Sequence, residues 1–271
     1  MTKSPDLRFE IEKAWRLLTA PLRAVPSFVI PGAPKCGTST LYDYLAAHPQ
    51  MRRGARKEPT NFVHYPGSRL RAATNYPVRL PGQRFHVCDG SVEYFTHPEA
   101  PRRVHDVLPD ARLVFLFRDP VDRAWSDYQM FAKFGSDRAD FTATVRAAMR
   151  WLDDPAVLPL ADAAARQAWH PARYVLAGWY SRAVERWLEV FPREQCLFLI
   201  SEEFYADPLA TMEGVFHHLG LADAKVPLLS AARDGGYSED MPADVEAELR
   251  AFFASRNRHL AELLGRELPW E

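Results

Sequence analysis

The sequence contains few cysteines and no long apolar run. Its 271 residues include only Cys36, Cys88 and Cys196, which are widely spaced and form no CxxC pair. This spacing argues against a disulfide framework and a zinc site and favours a reducing compartment, so we expect a cytoplasmic protein without a metal. No stretch reaches transmembrane length, and the first residues lack the apolar core of a signal peptide. We therefore expect no integral membrane segment.

The chain also lacks an excess of charge of either sign. Lys and Arg total 34, whereas Asp and Glu total 35. Such a balance produces no overall attraction to nucleic acid, so we expect no nucleic-acid partner and only local anion binding. With 47% hydrophobic residues, the chain can bury a sizeable core. Nothing in the pattern specifies an oligomeric state.

Strand and helix patterns alternate along most of the chain. Apolar runs with the length of buried strands lie at 28–30, 85–89, 112–117 and 196–200. Helical periodicity covers 98–108, 120–133, 141–168 with a break at 155–159, 172–190, 208–219 and 243–264, whereas 49–84 and 230–241 are predicted as loops. Strand–helix units in series predict an α/β fold with a central parallel sheet and helices on both faces.

The first 26 residues form a separate segment ahead of the first strand. Apolar residues recur at helical spacing over 5–24, with charges of both signs between them. We predict an amphipathic helix that packs on a single domain of residues 27–271. A helix for a membrane surface or a partner is the alternative, although the mixed charges do not favour anionic lipid.

A glycine-containing loop follows the first predicted strand. Gly32 and Gly37 lie in this loop, and a helix begins in the hydroxyl-rich run 38–40. The free amides and positive dipole end of such a helix form an anion site, to which Lys35 adds a positive charge. The order is not that of a Walker A loop, because the lysine precedes Gly37. The alternative is an ordinary strand-to-helix turn with a solvated lysine.

Two further cationic segments follow this loop. Arg118 ends the strand 112–117, where open α/β sheets bind ligands, and Ser126 lies in the next helix, so the pair suits a second phosphate. The alternative is an ion pair of Arg118 with a neighbouring aspartate. A basic run at 52–57 leads into Glu58. Charge runs are usually solvated, but a carboxylate among cations after a phosphate-type loop is also typical of a catalytic site.

Several of these segments together resemble one enzyme family. The stretches are Pro34-Lys35-Cys36-Gly37-Thr38-Ser39-Thr40-Leu41, Lys57-Glu58-Pro59 with Phe62, and Phe117-Arg118-Asp119-Pro120-Val121-Asp122-Arg123-Ala124-Trp125-Ser126. In this order they resemble the sulfotransferases that use 3′-phosphoadenosine 5′-phosphosulfate (PAPS). The likeness is to the carbohydrate branch, with its heparan sulfate and chondroitin-type enzymes and bacterial relatives. It implies a P-loop-like three-layer fold and, without the Golgi anchor of some members, a soluble bacterial-type enzyme.

The resemblance also implies the reaction and its residues. A hydroxyl-bearing acceptor, expected to be a glycan, would attack the PAPS sulfur in line and leave adenosine 3′,5′-bisphosphate (PAP), with Glu58 as base and no metal. Lys35 would be catalytic. The nucleotide would be held by Lys35, Cys36, Gly37, Thr38, Ser39, Thr40, Arg118, Ser126 and Tyr237, and the acceptor would contact Arg56, Lys57 and Glu93. The stretch 89–95 lacks the lysine of some relatives, which leaves a second catalytic lysine open.

Other functions remain compatible with these residues. The acceptor hydroxyl could instead belong to a lipid or a natural product. A P-loop kinase would need the Walker A order and a carboxylate at a strand end, whereas this strand ends in Arg118. A non-catalytic anion-binding module would not need Glu58.

Overall fold

The computed structural model describes residues 7–64, 67–133, 140–154, 172–229 and 240–270. Tyr237, most of the predicted loop over 230–241 and the second half of the predicted helix over 141–168 lie outside these ranges.

A parallel sheet forms the centre of the described chain and confirms the predicted fold class. Its strands are β1 Phe28–Gly32, β2 Cys88–Asp89, β3 Arg112–Phe117 and β4 Cys196–Ile200, in the order β2-β1-β3-β4. Every strand pair is parallel, with Val29 opposite Asp89 on one side and Leu113 on the other. The β1–β3 register shifts between Val29 and Gly32, a stretch that includes Pro31, which has no amide hydrogen to donate.

The helices connect and cover these strands. They are α1 Leu7–Leu18, α2 Thr38–Ala47, α3 Asn61–His64, α4 Arg69–Ala73, α5 Ala100–Val107, α6 Pro120–Lys133, α7 Phe141–Leu152, α8 Arg173–Leu176, α9 Tyr180–Leu188, α10 Ser201–Ala206, α11 Pro208–Leu219 and α12 Ala243–Leu264. Short 3₁₀ turns lie at Ala20–Leu22, Val92–Tyr94 and Arg193–Gln195. No helix among the described residues is both long and apolar enough to span a bilayer.

Aromatic side chains fill the main core beside the sheet. Phe115 of β3 stacks on Phe198 of β4 with ring centroids 5.0 Å apart, and Phe117 stacks on Tyr180 of α9 at 4.8 Å. A second cluster joins α6, α7, α8 and α12 around Val145, Tyr174 and Phe253, all fully buried. Aromatic pairs of this kind add stability beyond the area that they bury.

The predicted helix over 172–190 is wrong as one continuous element. It divides into α8 and α9 at Gly178 and Trp179, and Trp179 has the non-helical angles φ −81° and ψ 70°. A Cβ atom at Gly178 would lie 2.8 Å from Phe253 Cζ and 3.1 Å from Pro120 Cβ. The break therefore lies where the backbone approaches two neighbouring elements closely.

The predicted strand and loop before β3 also need correction. Only Cys88 and Asp89 of the predicted strand 85–89 pair with β1. Phe85 and Val87 instead pack with Ala24 and Tyr76 in a small separate cluster. Next to these two pairs, the Val87 carbonyl accepts the Ser27 amide at 3.1 Å, and His86 bridges Met51. The predicted loop over 49–84 contains the short helices α3 and α4.

The N-terminal segment is helical, as far as it is described, only to Leu18. The Thr19 hydroxyl donates to the Trp15 carbonyl at 2.7 Å, and a 3₁₀ turn follows. Arg16 Nη1 donates to the Thr74 carbonyl at 3.1 Å, whereas Ile11 is 60% and Trp15 is 59% exposed. The Arg16 hydrogen bond thus ties α1 to the segment after α4. The division into an N-terminal helix and one domain stays a prediction.

Arg123 is a fully buried cation in the second core. Its Nη1 donates to Asp127 Oδ2 at 3.1 Å, one helical turn later in α6, and its Nη2 donates to the Tyr174 carbonyl. A buried ion pair is costly to break, because removing one partner leaves the other charge without compensation.

We therefore predict that Asp127→Ala lowers the free energy of unfolding by about 3–5 kcal/mol. Urea unfolding followed by circular dichroism would measure the change. Asp106→Ala, at an exposed position on α5, is the matched control. A loss under about 1 kcal/mol, typical of exposed ion pairs, would contradict a stabilising role for this contact.

Candidate active site at the carboxyl edge of the sheet

The loop between β1 and α2 presents uncapped backbone amides. Gly37 precedes α2 with a left-handed backbone (φ 91°) and, as a glycine, has no side chain to cap this helix start. Lys35 also has positive φ, at 66°. The first-turn amides of α2 and its positive dipole end are thus available to an anion. A Cβ at Gly37 would lie 2.6 Å from Tyr205 Oη, so glycine fits this position both by its positive φ and by the close approach of Tyr205.

Side chains of α9 and α10, the helices before and after β4, hold this loop in place. Ser201 Oγ, at the start of α10, donates to the Cys36 carbonyl. Tyr205 Oη lies 3.3 Å from Thr40 Oγ1. The Tyr180 hydroxyl donates to the Arg118 carbonyl at 2.9 Å and lies 3.5 Å from Cys36 Sγ. The loop after β1 is therefore coupled to the end of β3 through one tyrosine.

Lys35 and Cys36 differ in what they can offer a ligand. Lys35 is half-buried, and its Nζ lies 3.5 Å from Met130 Sδ of α6. Burial raises the pKa of the Cys36 thiol to about 11, so the side chain is a neutral packing group. Cys36 can therefore contribute only its backbone to anion binding.

Lys57 connects the loop to Glu58. Its Nζ donates to Ser39 Oγ at 3.0 Å, to Thr38 Oγ1 at 3.3 Å and to Glu58 Oε1 at 2.9 Å. The side chain of Lys57 is 20% exposed and that of Glu58 is 37% exposed. The Lys57 ammonium group thus bridges the solvent-accessible Glu58 carboxylate and the hydroxyls at the start of α2.

A buried carboxylate underlies the segment that carries Glu58. Asp89 Oδ1 accepts hydrogen bonds from the Ser91 hydroxyl at 2.5 Å and the Ser91 amide at 3.1 Å, and Oδ2 accepts one from the Tyr94 hydroxyl at 2.9 Å. Ser91 Oγ in turn accepts the Thr60 amide at 3.0 Å, and Tyr94 Oη accepts the Phe62 amide at 3.4 Å. Asp89 therefore orients two hydroxyls that hold the backbone just beyond Glu58.

The end of β2 also contacts Lys57 directly. The Gly90 amide donates to the Lys57 carbonyl at 3.0 Å, and a Cβ at Gly90 would lie 3.2 Å from Lys57 Cγ and Cε.

Burial raises the pKa of Asp89 to about 6. The hydrogen bonds from Ser91 and Tyr94 oppose this rise, and the charge of Glu58 adds to it.

Arg118 lies at the carboxyl end of β3 as predicted from the pattern. Its Nη2 is 3.5 Å from Asp122 Oδ2, and the two side chains are 36% and 51% exposed. Burial, followed by the charge of Asp119, raises the pKa of Asp122. Exposed ion pairs of this kind contribute little stability, so an anionic ligand can compete for the guanidinium. Ser126 is half-buried in α6, without a hydrogen-bond partner among the described residues.

The family model for a sulfotransferase domain matches residues 26–230 of this chain. The chain belongs to the sulfotransferase family. This confirms the resemblance seen in the sequence and makes the protein a transferase of sulfuryl groups, so the kinase alternative is set aside.

Individual sulfotransferases show the same relationship. The chain is 27% identical to heparan sulfate glucosamine 3-O-sulfotransferase 6 of Mus musculus over 274 residues, covering 92% of this chain and 75% of the relative. It is 28% identical to carbohydrate sulfotransferase 15 of Homo sapiens over 311 residues, covering 91% of this chain and 54% of the relative. The crystal structure of a sulfotransferase from Alicyclobacillus acidocaldarius superimposes with a TM-score of 0.69 at 30% identity, covering 90% of this chain and 98% of that one.

The fold of this sulfotransferase brings some predicted site residues together and separates others. Lys57 and Glu58 meet the hydroxyls of the loop. Arg56 is exposed, and its backbone exchanges hydrogen bonds with the Asn75 side chain at 2.8 and 3.0 Å. Glu93 is exposed on the 3₁₀ turn after β2, and Tyr237 lies outside the described residues.

Sequence reasoning missed two residues that shape the loop of this sulfotransferase. Ser201 and Tyr205 follow directly after β4 and reach Cys36 and Thr40. The sequence feature that could have identified them is the buried strand before them, because parallel strands end at the same edge of a sheet. Within the described ranges, no three His, Cys, Asp or Glu side chains form a group that could hold a metal ion.

The pKa of Asp89 predicts a pH-dependent contribution to stability. Because folding raises this pKa from its ordinary 3.8 to about 6, the folded protein binds the proton more tightly. Asp89 should therefore stabilise the fold increasingly as the pH falls from about 6 to about 4, by up to about 1.4 kcal/mol per pH unit.

Asp89→Asn should remove this dependence. Urea unfolding of both proteins between pH 4 and pH 7 would give the difference in free energy of unfolding at each pH. The difference should shift in favour of the wild type as the pH falls. A difference that stays constant over this range would show that the Asp89 carboxyl does not titrate there.

Proposed function

We propose that this sulfotransferase transfers the sulfuryl group of PAPS to a hydroxyl of a carbohydrate, with Glu58 as the general base. The observation that carries the proposal is the contact of Lys57 with both Ser39 of the loop and Glu58, at 3.0 and 2.9 Å. It links an anion site at the start of α2 to a carboxylate that solvent can reach.

The residues present fit the two ends of the donor. The uncapped amides of α2 and Lys35 suit the 5′-phosphosulfate group. Arg118 and Ser126 suit the 3′-phosphate, which ATP lacks, so they would select the donor and supply binding energy remote from the reacting sulfur. Tyr180 ties Arg118 to Cys36, so both phosphate sites keep a fixed separation.

Glu58 and the cations divide the chemistry between them. Glu58 takes the proton from the acceptor hydroxyl. The acceptor oxygen bonds to sulfur at the same time as the bond from sulfur to the 5′-phosphate oxygen breaks. Negative charge develops on that departing oxygen, where Lys35, the loop amides and the hydroxyls of Ser39 and Thr38 stabilise it. The Lys57 ammonium group contacts both the base, Glu58, and the Thr38 hydroxyl of the loop. Its positive charge is therefore close to both places where charge changes during the transfer.

The acceptor half of the proposal rests on the relatives and on local charge. Both relatives are named as sulfotransferases of carbohydrates. Arg56 is exposed beside the Lys57–Glu58 pair and Glu93 is exposed on the turn after β2, so both lie at the surface that a glycan would approach. Anionic sugars would be drawn to the basic run at 52–57.

We predict that Glu58→Gln lowers kcat by about 100-fold or more while the affinity for PAP stays within a few-fold of wild type. Transfer of labelled sulfate from PAPS to a glycan panel and calorimetry with PAP would measure the two quantities. Glu213→Gln, at an exposed position on α11, is the matched control. Turnover near wild type in Glu58→Gln would remove Glu58 from the role.

We also predict that Arg118→Ala weakens PAP binding by at least about tenfold, because one charge-assisted hydrogen-bonding group is lost. Calorimetry would compare PAP with ATP and magnesium in both proteins, and Arg102→Ala would serve as the control on α5. Wild-type protein that bound ATP better than PAP would overturn the donor assignment. Transfer to a lipid or a natural product instead of glycans would leave the donor half standing and replace the acceptor half.

A further inference from the structure

Exposed apolar side chains concentrate on one part of the described chain. Among the residues whose side chains are described, seven large apolar ones are more than half exposed, namely Ile11, Trp15, Leu18, Leu22, Leu70, Leu80 and Leu228. All but Leu228 belong to the N-terminal part of the chain. The six lie within residues 7–24 and 67–84, which we call the N-terminal surface. Scattered exposed apolar residues need no explanation, but a cluster of them marks an interaction site.

Hydrogen bonds of side chains and backbone join the two segments of the N-terminal surface. Arg16 of α1 donates to the Thr74 carbonyl just after α4. The Arg79 amide donates to the Leu22 carbonyl at 2.8 Å, and Arg23 bridges Val78. The exposed side chains of α1 recur at helical spacing and so form one apolar stripe along the helix.

The same surface is strongly cationic. It contains eight Arg and Lys residues and two Glu residues, a net charge of +6 in a chain whose formal net charge is −1. Both acids are on α1, where Glu12 pairs with Arg16 at 2.7 Å and Glu10 lies 4.0 Å from Lys13. The helix alone has mixed charges. The segment 67–84 adds four arginines and no acid, all four exposed.

We propose that the N-terminal surface binds the face of an anionic lipid bilayer, with the apolar stripe of α1 inserted at the level of the headgroups. Amphipathic helices with Trp and Leu on one side lie in this way at membrane interfaces, and flanking arginines are attracted to anionic lipid. A second copy of the chain is a poorer occupant, because a two-fold contact would bring the same +6 surface against itself.

The placement gives this contact a consequence for the enzyme. Asn75, which follows α4 in the N-terminal surface, holds the backbone of Arg56 through two side-chain hydrogen bonds. The lipid contact would therefore lie beside the segment that carries Lys57 and Glu58. The proposal does not depend on the catalytic role of Glu58, since binding is measured without turnover.

Vesicle sedimentation of the full chain tests the proposal. Vesicles of phosphatidylcholine alone would be compared with equal parts phosphatidylcholine and phosphatidylglycerol. Binding should be at least about tenfold stronger to the anionic vesicles and should fall as salt is raised. Binding that is absent, or equal for both vesicle types, would overturn the proposal.

Two variants separate the apolar and the electrostatic contributions. Ile11→Ser with Trp15→Ser should weaken binding by at least about tenfold, since each side chain loses its burial in the interface. Arg69→Glu with Arg84→Glu should weaken it by at least about 25-fold, at about fivefold for each positive charge lost. Matched controls lie outside the N-terminal surface: Leu209→Ser with Leu228→Ser, and Arg102→Glu with Arg258→Glu.

Thermal unfolding would establish that each variant is folded, and the controls should bind as wild type does. Equal losses in the controls would show a general charge or solubility effect and overturn the assignment to this surface. Analytical ultracentrifugation would test the other occupant. Suppose that the protein does not bind anionic vesicles and forms a dimer that the double variant Ile11→Ser with Trp15→Ser dissociates. This result would assign the surface to a second copy of the chain and overturn the lipid proposal.

Discussion

Parallel pairing of β1, β3 and β4 is the constraint on which the site depends. Because parallel strands all end at one edge of the sheet, the loop after β1, Arg118 after β3 and Ser201 after β4 lie on the same side of the molecule. Each following helix also begins there and directs its positive dipole end toward that edge. The Tyr180 hydroxyl then couples two of these strand ends through Arg118 and Cys36.

Carboxylates near this edge behave differently because their surroundings differ. Glu58 is partly exposed and contacts one ammonium group, which leaves it accessible to a substrate. Asp89 is buried among hydroxyls, and its role is to hold the backbone around the Glu58 segment. Asp127 is buried against Arg123 and belongs to the core. The roles of these three carboxylates thus depend on how exposed each one is and on which group it contacts, and not on whether it is Asp or Glu.

Much of the fold followed from periodicity alone. The run 112–117 is buried and apolar and forms β3, and the glycine-containing loop at 32–37 does precede a helix. The failures share one cause, which is contact with distant residues. Gly178 interrupts a periodic helix because Phe253 and Pro120 approach its backbone, and Phe85 leaves the expected strand to pack against Ala24 and Tyr76. Periodicity carries no information about such neighbours.

The sequence by itself determined the family, the parallel sheet and the types of residue at its edge, because these depend on local patterns and on motifs in order. Only the tertiary structure decided which groups meet. Lys57 could have faced solvent, but the Gly90 amide holds its carbonyl and its ammonium group reaches Ser39. Likewise α1 has mixed charges as a sequence, and becomes part of a cationic surface only where the arginines of 67–84 join it. Electrostatic and packing energies depend on distances through space, and the order of residues along the chain does not specify those distances.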